Sequence, residues 1–170
     1  MDKVTTDRCD KPGERLFIDI TSIKKKSIGG SKFWLVVVDD ATNFTWSLFL
    51  KQKNHTAKHL IPVLLKLFSS GYPVKHIRCD NAGENKDLEN KCMKDSTLCS
   101  IQFEYTPRDS PQYNGKAERK IAVLTGRVRS VLTAAGLPTN LRPKLWAEAA
   151  KTTTDVENIL FTTKDGKSAY

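Results

Sequence analysis

A chain of 170 residues, 39% hydrophobic and 28% charged, has the composition of a folded globular domain and the length to bury a substantial core. A run of about 18 apolar residues, the minimum for a helical membrane span, does not occur. The opening Met1-Asp2-Lys3-Val4 lacks the basic-then-apolar pattern of a secretion signal. Lys and Arg number 28 against 19 Asp and Glu, a formal charge of +9, and that excess favours a polyanionic partner, most simply nucleic acid.

The four cysteines, Cys9, Cys79, Cys92 and Cys99, include no C-x-x-C pair, which argues against a zinc knuckle or a redox dithiol and for inert thiols in a reduced setting. His55 and His59 are spaced i,i+4, but His-Thr-Ala-Lys-His has no Glu after the first His, so they read as solvated helix residues rather than a zinc site.

Residues 1–13 form a polar lead-in containing Pro12-Gly13. Arg15-Leu16-Phe17-Ile18-Asp19-Ile20-Thr21 is a short apolar run consistent with a buried strand. Asp19 interrupts it, and a carboxylate inside a strand costs heavily unless it is paired, metal-bound or turned to water. A basic loop, Lys24-Lys25-Lys26-Ser27-Ile28-Gly29-Gly30, precedes the strongest strand, 33–38. Asp39-Asp40-Ala41-Thr42-Asn43 then leads into a strand over 44–50, which predicts an antiparallel hairpin. Asp39 and Asp40 read as turn caps that compete with Asp19 as metal ligands and rank below it.

From about Asn54, Ala57, Leu60, Ile61, Leu64, Leu65 and Phe68 recur at helical spacing, with Pro62 expected early or at a kink and Gly71-Tyr72-Pro73 as the stop. A strand over 74–79 carries Asp80-Asn81-Ala82-Gly83 at its carboxyl end, the end of a strand where α/β sheets bind ligands. A short surface helix is predicted over 84–97 and a strand over 99–105.

The loop 106–114 ends in Ser110-Pro111-Gln112-Tyr113-Asn114 and opens at Gly115 into a helix. That helix places Ala117, Ile121, Leu124, Val128, Val131 and Ala135 on one face and ends at Gly136-Leu137-Pro138. Glu118 lies about 100° from the centre of that face, at its boundary, among Lys116, Arg119, Lys120, Arg127 and Arg129. Two readings of Glu118 stand at this point: a helix salt bridge to Lys120 or Arg119, or a carboxylate holding a metal beside a phosphate backbone. A last helical region spans about 141–160, and 161–170 reads as a frayed tail.

Asp19, Asp80 and Glu118, with 37 residues between the last two, resemble the D,D-35-E arrangement of retroviral and retrotransposon integrases, and the match is close to the Ty1/copia group. The residues carrying it are Phe17-Ile18-Asp19, 37–42, Arg78-Cys79-Asp80-Asn81-Ala82-Gly83-Glu84-Asn85, Ser110 to Lys120, and Leu145-Trp146-Ala147-Glu148-Ala149. Together they cover about 13–160 of the chain. The resemblance implies an RNase H-like α/β fold, a five-stranded mixed sheet flanked by helices, with the catalytic core over 14–160. It implies Mg²⁺ or Mn²⁺, two ions held by Asp19, Asp80 and Glu118, in keeping with hard oxygen ligands. The implied chemistry is 3′-end processing and strand transfer of element DNA into target DNA by in-line phosphoryl transfer. Lys116, Arg119, Lys120 and Arg129 are the expected phosphate contacts, and Gln112, Tyr113 and Asn114 the expected contacts to the DNA end. The family further implies a homodimer or higher oligomer, a nuclear site of action and a cytoplasmic particle stage.

Ala82 stands where the group usually has Gly, and Tyr113 where it usually has Gln; neither change removes a ligand. The zinc-binding domain and the carboxyl-terminal DNA-binding region that flank the core in the family are not in this sequence, so an isolated catalytic core is expected. The alternatives are a catalytically silent DNA-binding or dimerisation module of the same fold, and another RNase H-like nuclease.

Overall fold

In the computed structural model, residues 9–106 and 114–160 are described. Five strands, β1 (Arg15–Ser22), β2 (Phe33–Asp39), β3 (Thr45–Leu50), β4 (His76–Asp80) and β5 (Gln102–Thr106), form one sheet in the order β3-β2-β1-β4-β5. β1, β2 and β3 pair antiparallel, while β4 joins β1 and β5 joins β4 in parallel, so the sheet is mixed as expected. Four helices complete it: α1 (Thr56–Ser69), α2 (Gly83–Met93), α3 (Gly115–Ala134) and α4 (Trp146–Leu160).

Side-chain alternation divides the core into two layers. Leu16, Ile18, Leu35, Val37 and Ile77 pack with Leu60 and Leu64 of α1 and Leu88 and Cys92 of α2. Phe17, Trp34, Val36 and Val38 project from the opposite face onto Ala117, Leu124, Val128 and Leu132 of α3 and Trp146 and Ala150 of α4. β1 lies at the centre of the sheet, so Asp19 sits on a central strand, as its apolar neighbours required.

Several boundaries differ from the sequence reading, each for a local reason. Asp95 Oδ1 accepts the N–H groups of Thr97 and Leu98, holding 95–100 in turns. α2 therefore ends at Met93, and β5 begins only at Gln102. The last helical region divides into a 3₁₀ turn, Arg142–Lys144, which carries Pro143 near its start, and α4; the break falls at Leu145, whose backbone (φ −93°, ψ 14°) leaves the helical region. Pro62 lies in the middle of α1 rather than at its start. It is exposed, so the backbone carbonyl it leaves unpaired one turn earlier sits on the solvent side of the helix.

Candidate active site

The register of β1 and β4 brings the first two carboxylates together. Phe17 is the parallel partner of Arg78. Asp19 and Asp80 stand two residues further along these adjacent strands, so both project from the face that carries Phe17, α3 and α4. The third carboxylate arrives with α3. Asn114, only 4% exposed, caps the start of that helix, and its Nδ2 donates to the Ile18 carbonyl at 3.2 Å, one residue from Asp19. Glu118 lies in the first turn that follows.

Electrostatics connect all three. Burial pushes the Asp19 carboxyl above the usual carboxylate range, and the negative charges of Asp80 and Glu118 push it further. The Ile20 N–H, donating to Asp19 Oδ1 at 2.8 Å, and the ammonium of Lys53 oppose that rise. Asp80 Oδ1 accepts Nδ2 of Asn85 at 2.6 Å, and the same Nδ2 reaches the Asp80 carbonyl at 3.1 Å. Each Asp thus has one oxygen held by the protein. Among the described residues, the second oxygen of each accepts no hydrogen bond.

As the side chains stand, no three His, Cys, Asp or Glu among the described residues are gathered closely enough to form a metal-ligating group. Coulombic coupling acts over a longer range than coordination, which needs oxygens at roughly 2.0–2.1 Å from the ion. The two observations are compatible: the carboxylates share one field without being drawn to one point. The chemistry of the set fits a divalent cation. Three hard oxygen donors share one field, and the most desolvated is the one a positive charge would relieve most.

Glu118 does not make the helix salt bridge that its neighbours offered. It is exposed and, among the described residues, takes part in no ion pair. Lys120 turns instead to Glu157 of α4 at 2.7 Å, and Lys116 to Asp40 at 2.9 Å. Arg119 folds back over the helix start, with its guanidinium 3.3 Å from where a Cβ on Gly115 would stand. Arg119 and Arg129 are exposed. Among the proposed phosphate contacts, then, Lys116 and Lys120 are engaged inside the domain, whereas Arg119 and Arg129 face outward. Asn114 is buried against Ile18, a placement that serves the helix start rather than a surface contact. Gln112 and Tyr113 lie outside the described residues.

Asp39 and Asp40 have structural partners. Asp39 accepts the Gly13 N–H at 2.8 Å and both the N–H and hydroxyl of Thr42, the turn-capping role expected of it. Asp40 is 6% exposed and faces Lys116 and, at 3.7 Å, Arg15, so it ties the first turn of α3 to the sheet. The network continues through Glu104, which pairs with Arg15 and with Arg78 at 2.6 Å. Burial pushes the Cys79 thiol up to about 12 and that of Cys92 up to about 11, in keeping with inert cysteines.

Two residues near the site escaped the sequence reading. Asn85 falls within the block around Asp80, but nothing in a linear pattern shows that its amide returns five residues to that carboxylate. Lys53, in a 3₁₀ turn before α1, lies 3.4 Å from Glu84 and is the cation whose field Asp19 feels.

No protein-family model matches the chain. Among curated proteins it is 32% identical over 134 residues, 75% of its length, to the retrovirus-related Pol polyprotein from transposon TNT 1-94 of Nicotiana tabacum. It is 26% identical over 141 residues to the retrovirus-related Pol polyprotein from transposon RE2 of Arabidopsis thaliana. In both cases the match spans about 9% of the relative's length. Among solved structures, the catalytic core of BIV integrase superposes with a TM-score of 0.62 at 19% identity, covering 93% of this chain and 91% of that one. The HTLV-2 integrase catalytic core in complex with magnesium gives 0.61 at 18% identity, covering 92% and 93%. A chain of the simian T-cell lymphotropic virus intasome gives 0.71 at 20% identity, covering 95% of this chain and 54% of that one.

Proposed function

Starting from a homologue of copia-type retrotransposon Pol polyproteins that has the RNase H-like fold of integrase catalytic cores, we propose that this chain is a DNA strand-transfer enzyme whose site is Asp19, Asp80 and Glu118. The observation that carries the reading is the shared field of the three carboxylates. They come from a central strand, a strand end and a helix start, and the charges of Asp80 and Glu118 add to burial in raising the pKa of the half-buried Asp19. Separations of 61 and 38 positions in sequence (80 − 19 and 118 − 80) make such convergence hard to attribute to local structure. One relative by fold is described in complex with magnesium, which supports a divalent cation at a site of this chemistry.

When bound, a pair of Mg²⁺ or Mn²⁺ ions would supply charge stabilisation to the attacking and leaving oxygens of an in-line displacement at phosphorus. Asp19 and Asp80 would hold such ions through the oxygens that the Ile20 N–H and Asn85 amide leave open. Glu118 would close the set from the helix side. The exposed guanidiniums of Arg119 and Arg129 suit the phosphates of a DNA strand lying along α3. Water is the nucleophile for trimming the 3′ end, and the exposed 3′-hydroxyl for joining it to target DNA.

The test is an assay with a labelled donor duplex and a target duplex in Mg²⁺ or Mn²⁺. Glu118→Gln is expected to keep the melting temperature and duplex affinity while strand transfer falls at least ~10³-fold, the loss of several kcal/mol of charge stabilisation. Strand transfer at the wild-type rate would remove Glu118 from the site. Cleavage of an RNA–DNA hybrid with no action on DNA ends would instead indicate a ribonuclease of the same fold.

A further inference from the structure

Six exposed lysines that make no salt bridge among the described residues come from three segments away from the carboxylates. The three meet: the loop from β1 to β2, the end of β3, and the turn that precedes α4. Backbone bonds fix the meeting. The Ile28 N–H donates to the Lys144 carbonyl at 2.9 Å, and the Trp146 indole N–H donates to the Lys25 carbonyl at 2.9 Å. Ile23 donates to the Lys32 carbonyl and Lys32 to the Leu50 carbonyl. The loop closes on itself through Ser27, whose Oγ accepts the Ser31 N–H at 3.0 Å while Gly30 turns at a φ of +81°. A Cβ on Gly30 would stand 3.6 Å from Lys51 Cε, so the Lys51 side chain lies along the loop.

Lys24, Lys25, Lys26, Lys32, Lys51 and Lys144 are all exposed. Among the described residues none of the six ammonium groups makes a salt bridge, in contrast to Lys53, Lys75, Lys91, Lys116, Lys120 and Lys151, which all do. The three segments explain why: residues 20–38, 41–54 and 136–147 contain no Asp or Glu. Glu148, in the first turn of α4 four residues after Lys144, is exposed and makes no salt bridge among the described residues, so ion pairing does not offset the repulsion among the six ammonium groups. A polyanion would.

We propose that this platform binds the phosphodiester backbone of duplex DNA as a surface separate from the carboxylate site; the proposal rests on the strand-transfer reading for the identity of the polymer. Chemistry favours nucleic acid over a protein or a membrane. Ile28 is the single large apolar side chain exposed on the loop, whereas the cores of protein interfaces are depleted of charge and built on aromatic and aliphatic anchors. Membrane-surface binding of this kind draws on an amphipathic helix, and here the cations stand on a strand-to-strand loop and a 3₁₀ turn. Placement agrees. Trp146 belongs to the layer on the α3 and α4 face, the face from which Asp19 projects. Lys24 follows Asp19 by five residues, at most about 17 Å between Cα atoms at strand spacing, or roughly five base pairs at 3.4 Å each. One duplex can therefore touch both.

The test measures binding of a fluorescent 30-base-pair duplex to the wild-type chain and to Lys24→Gln/Lys26→Gln/Lys144→Gln, by anisotropy across a KCl series without divalent metal. The three changes leave the backbone bonds of Lys25 and Lys144 in place, and an unchanged melting temperature checks that the fold is kept. Loss of three phosphate contacts should lower affinity at least ~10-fold at moderate salt and reduce the slope of log Kd against log [KCl] by about 2.7, at 0.9 per contact. Unchanged affinity and slope in the triple variant, with the wild type still binding, would overturn the platform and leave the carboxylate reading standing. Absence of salt-dependent duplex binding in the wild type would overturn both. Loss of binding to phosphatidylserine vesicles with duplex binding intact would assign the surface to a membrane and also overturn the proposal.

Discussion

Asp19 is the residue on which the sequence and the structure press hardest. Its place in a central strand was legible from the apolar run around it, and so was the cost of a carboxylate there. What it feels was not legible, because Asp80 and Glu118 reach it only through the β1–β4 register and the docking of α3. Burial and two like charges raise its pKa, so without a metal Asp19 favours the protonated form in the fold more than in the unfolded chain. The linkage sign follows: its contribution to stability is greatest below its ordinary value of 3.8 and is lost as pH rises through the raised folded-state value. Asp19→Asn should therefore melt above the wild type at pH 7 in chelator. That advantage should vanish near pH 3. Thermal melts at the two pH values decide it, and a wild type more stable than Asp19→Asn at pH 7 would contradict the assigned environment. Glu118 teaches the complementary lesson. Spacing alone offered it a salt bridge, but its basic neighbours are claimed by Asp40 and Glu157, acids 78 positions before it and 39 after it, which no local pattern reveals.

At the level of elements, the succession of strands and helices and the β2–β3 hairpin were readable because alternation and turn chemistry are local signals, whereas strand order in the sheet and helix docking were not. The apolar stripe of α3 was expected to run through Val131 and Ala135; both are exposed, and Leu132 is buried in their place. At 100° per residue, Val131 and Leu132 lie about 40° and about 60° to either side of Ala117, so periodicity leaves both near the face and the docking of α3 selects Leu132. The ion-pair clamp between α3 and α4 was equally hidden. Glu157, 6% exposed, receives Lys120 at 2.7 Å and Arg127 at 3.0 Å, joining α4 to the half of α3 that carries Glu118. Removing one member of a buried cluster strands the others, at a cost of about 3 kcal/mol. Glu157→Gln should lose roughly that amount in urea unfolding, with an unchanged m-value if the native and unfolded ensembles keep their extents. A loss below about 0.5 kcal/mol, the scale of an exposed pair, would show that the clamp contributes little.

For the whole molecule, the carboxylates stand on the α3 and α4 side of the mixed sheet, and a group of exposed, unbridged lysines stands at the β1–β2 loop, the end of β3 and the turn before α4. The excess of positive charge pointed to a polyanion from the outset, but composition could not say where the charge lies. Folding sorts it. Lysines near acids become internal ties, and those in acid-free segments remain open at the β1–β2 loop. The central claim is that Asp19, Asp80 and Glu118 hold a divalent cation, and anomalous diffraction from a crystal soaked in Mn²⁺ tests it most directly. The account predicts a peak bounded by the Asp19 and Asp80 oxygens that Ile20 and Asn85 leave open, with Glu118 turned towards it, and a weakened or missing peak in Glu118→Gln. Manganese bound elsewhere, with the three carboxylates free of it at saturating concentration, would contradict the account.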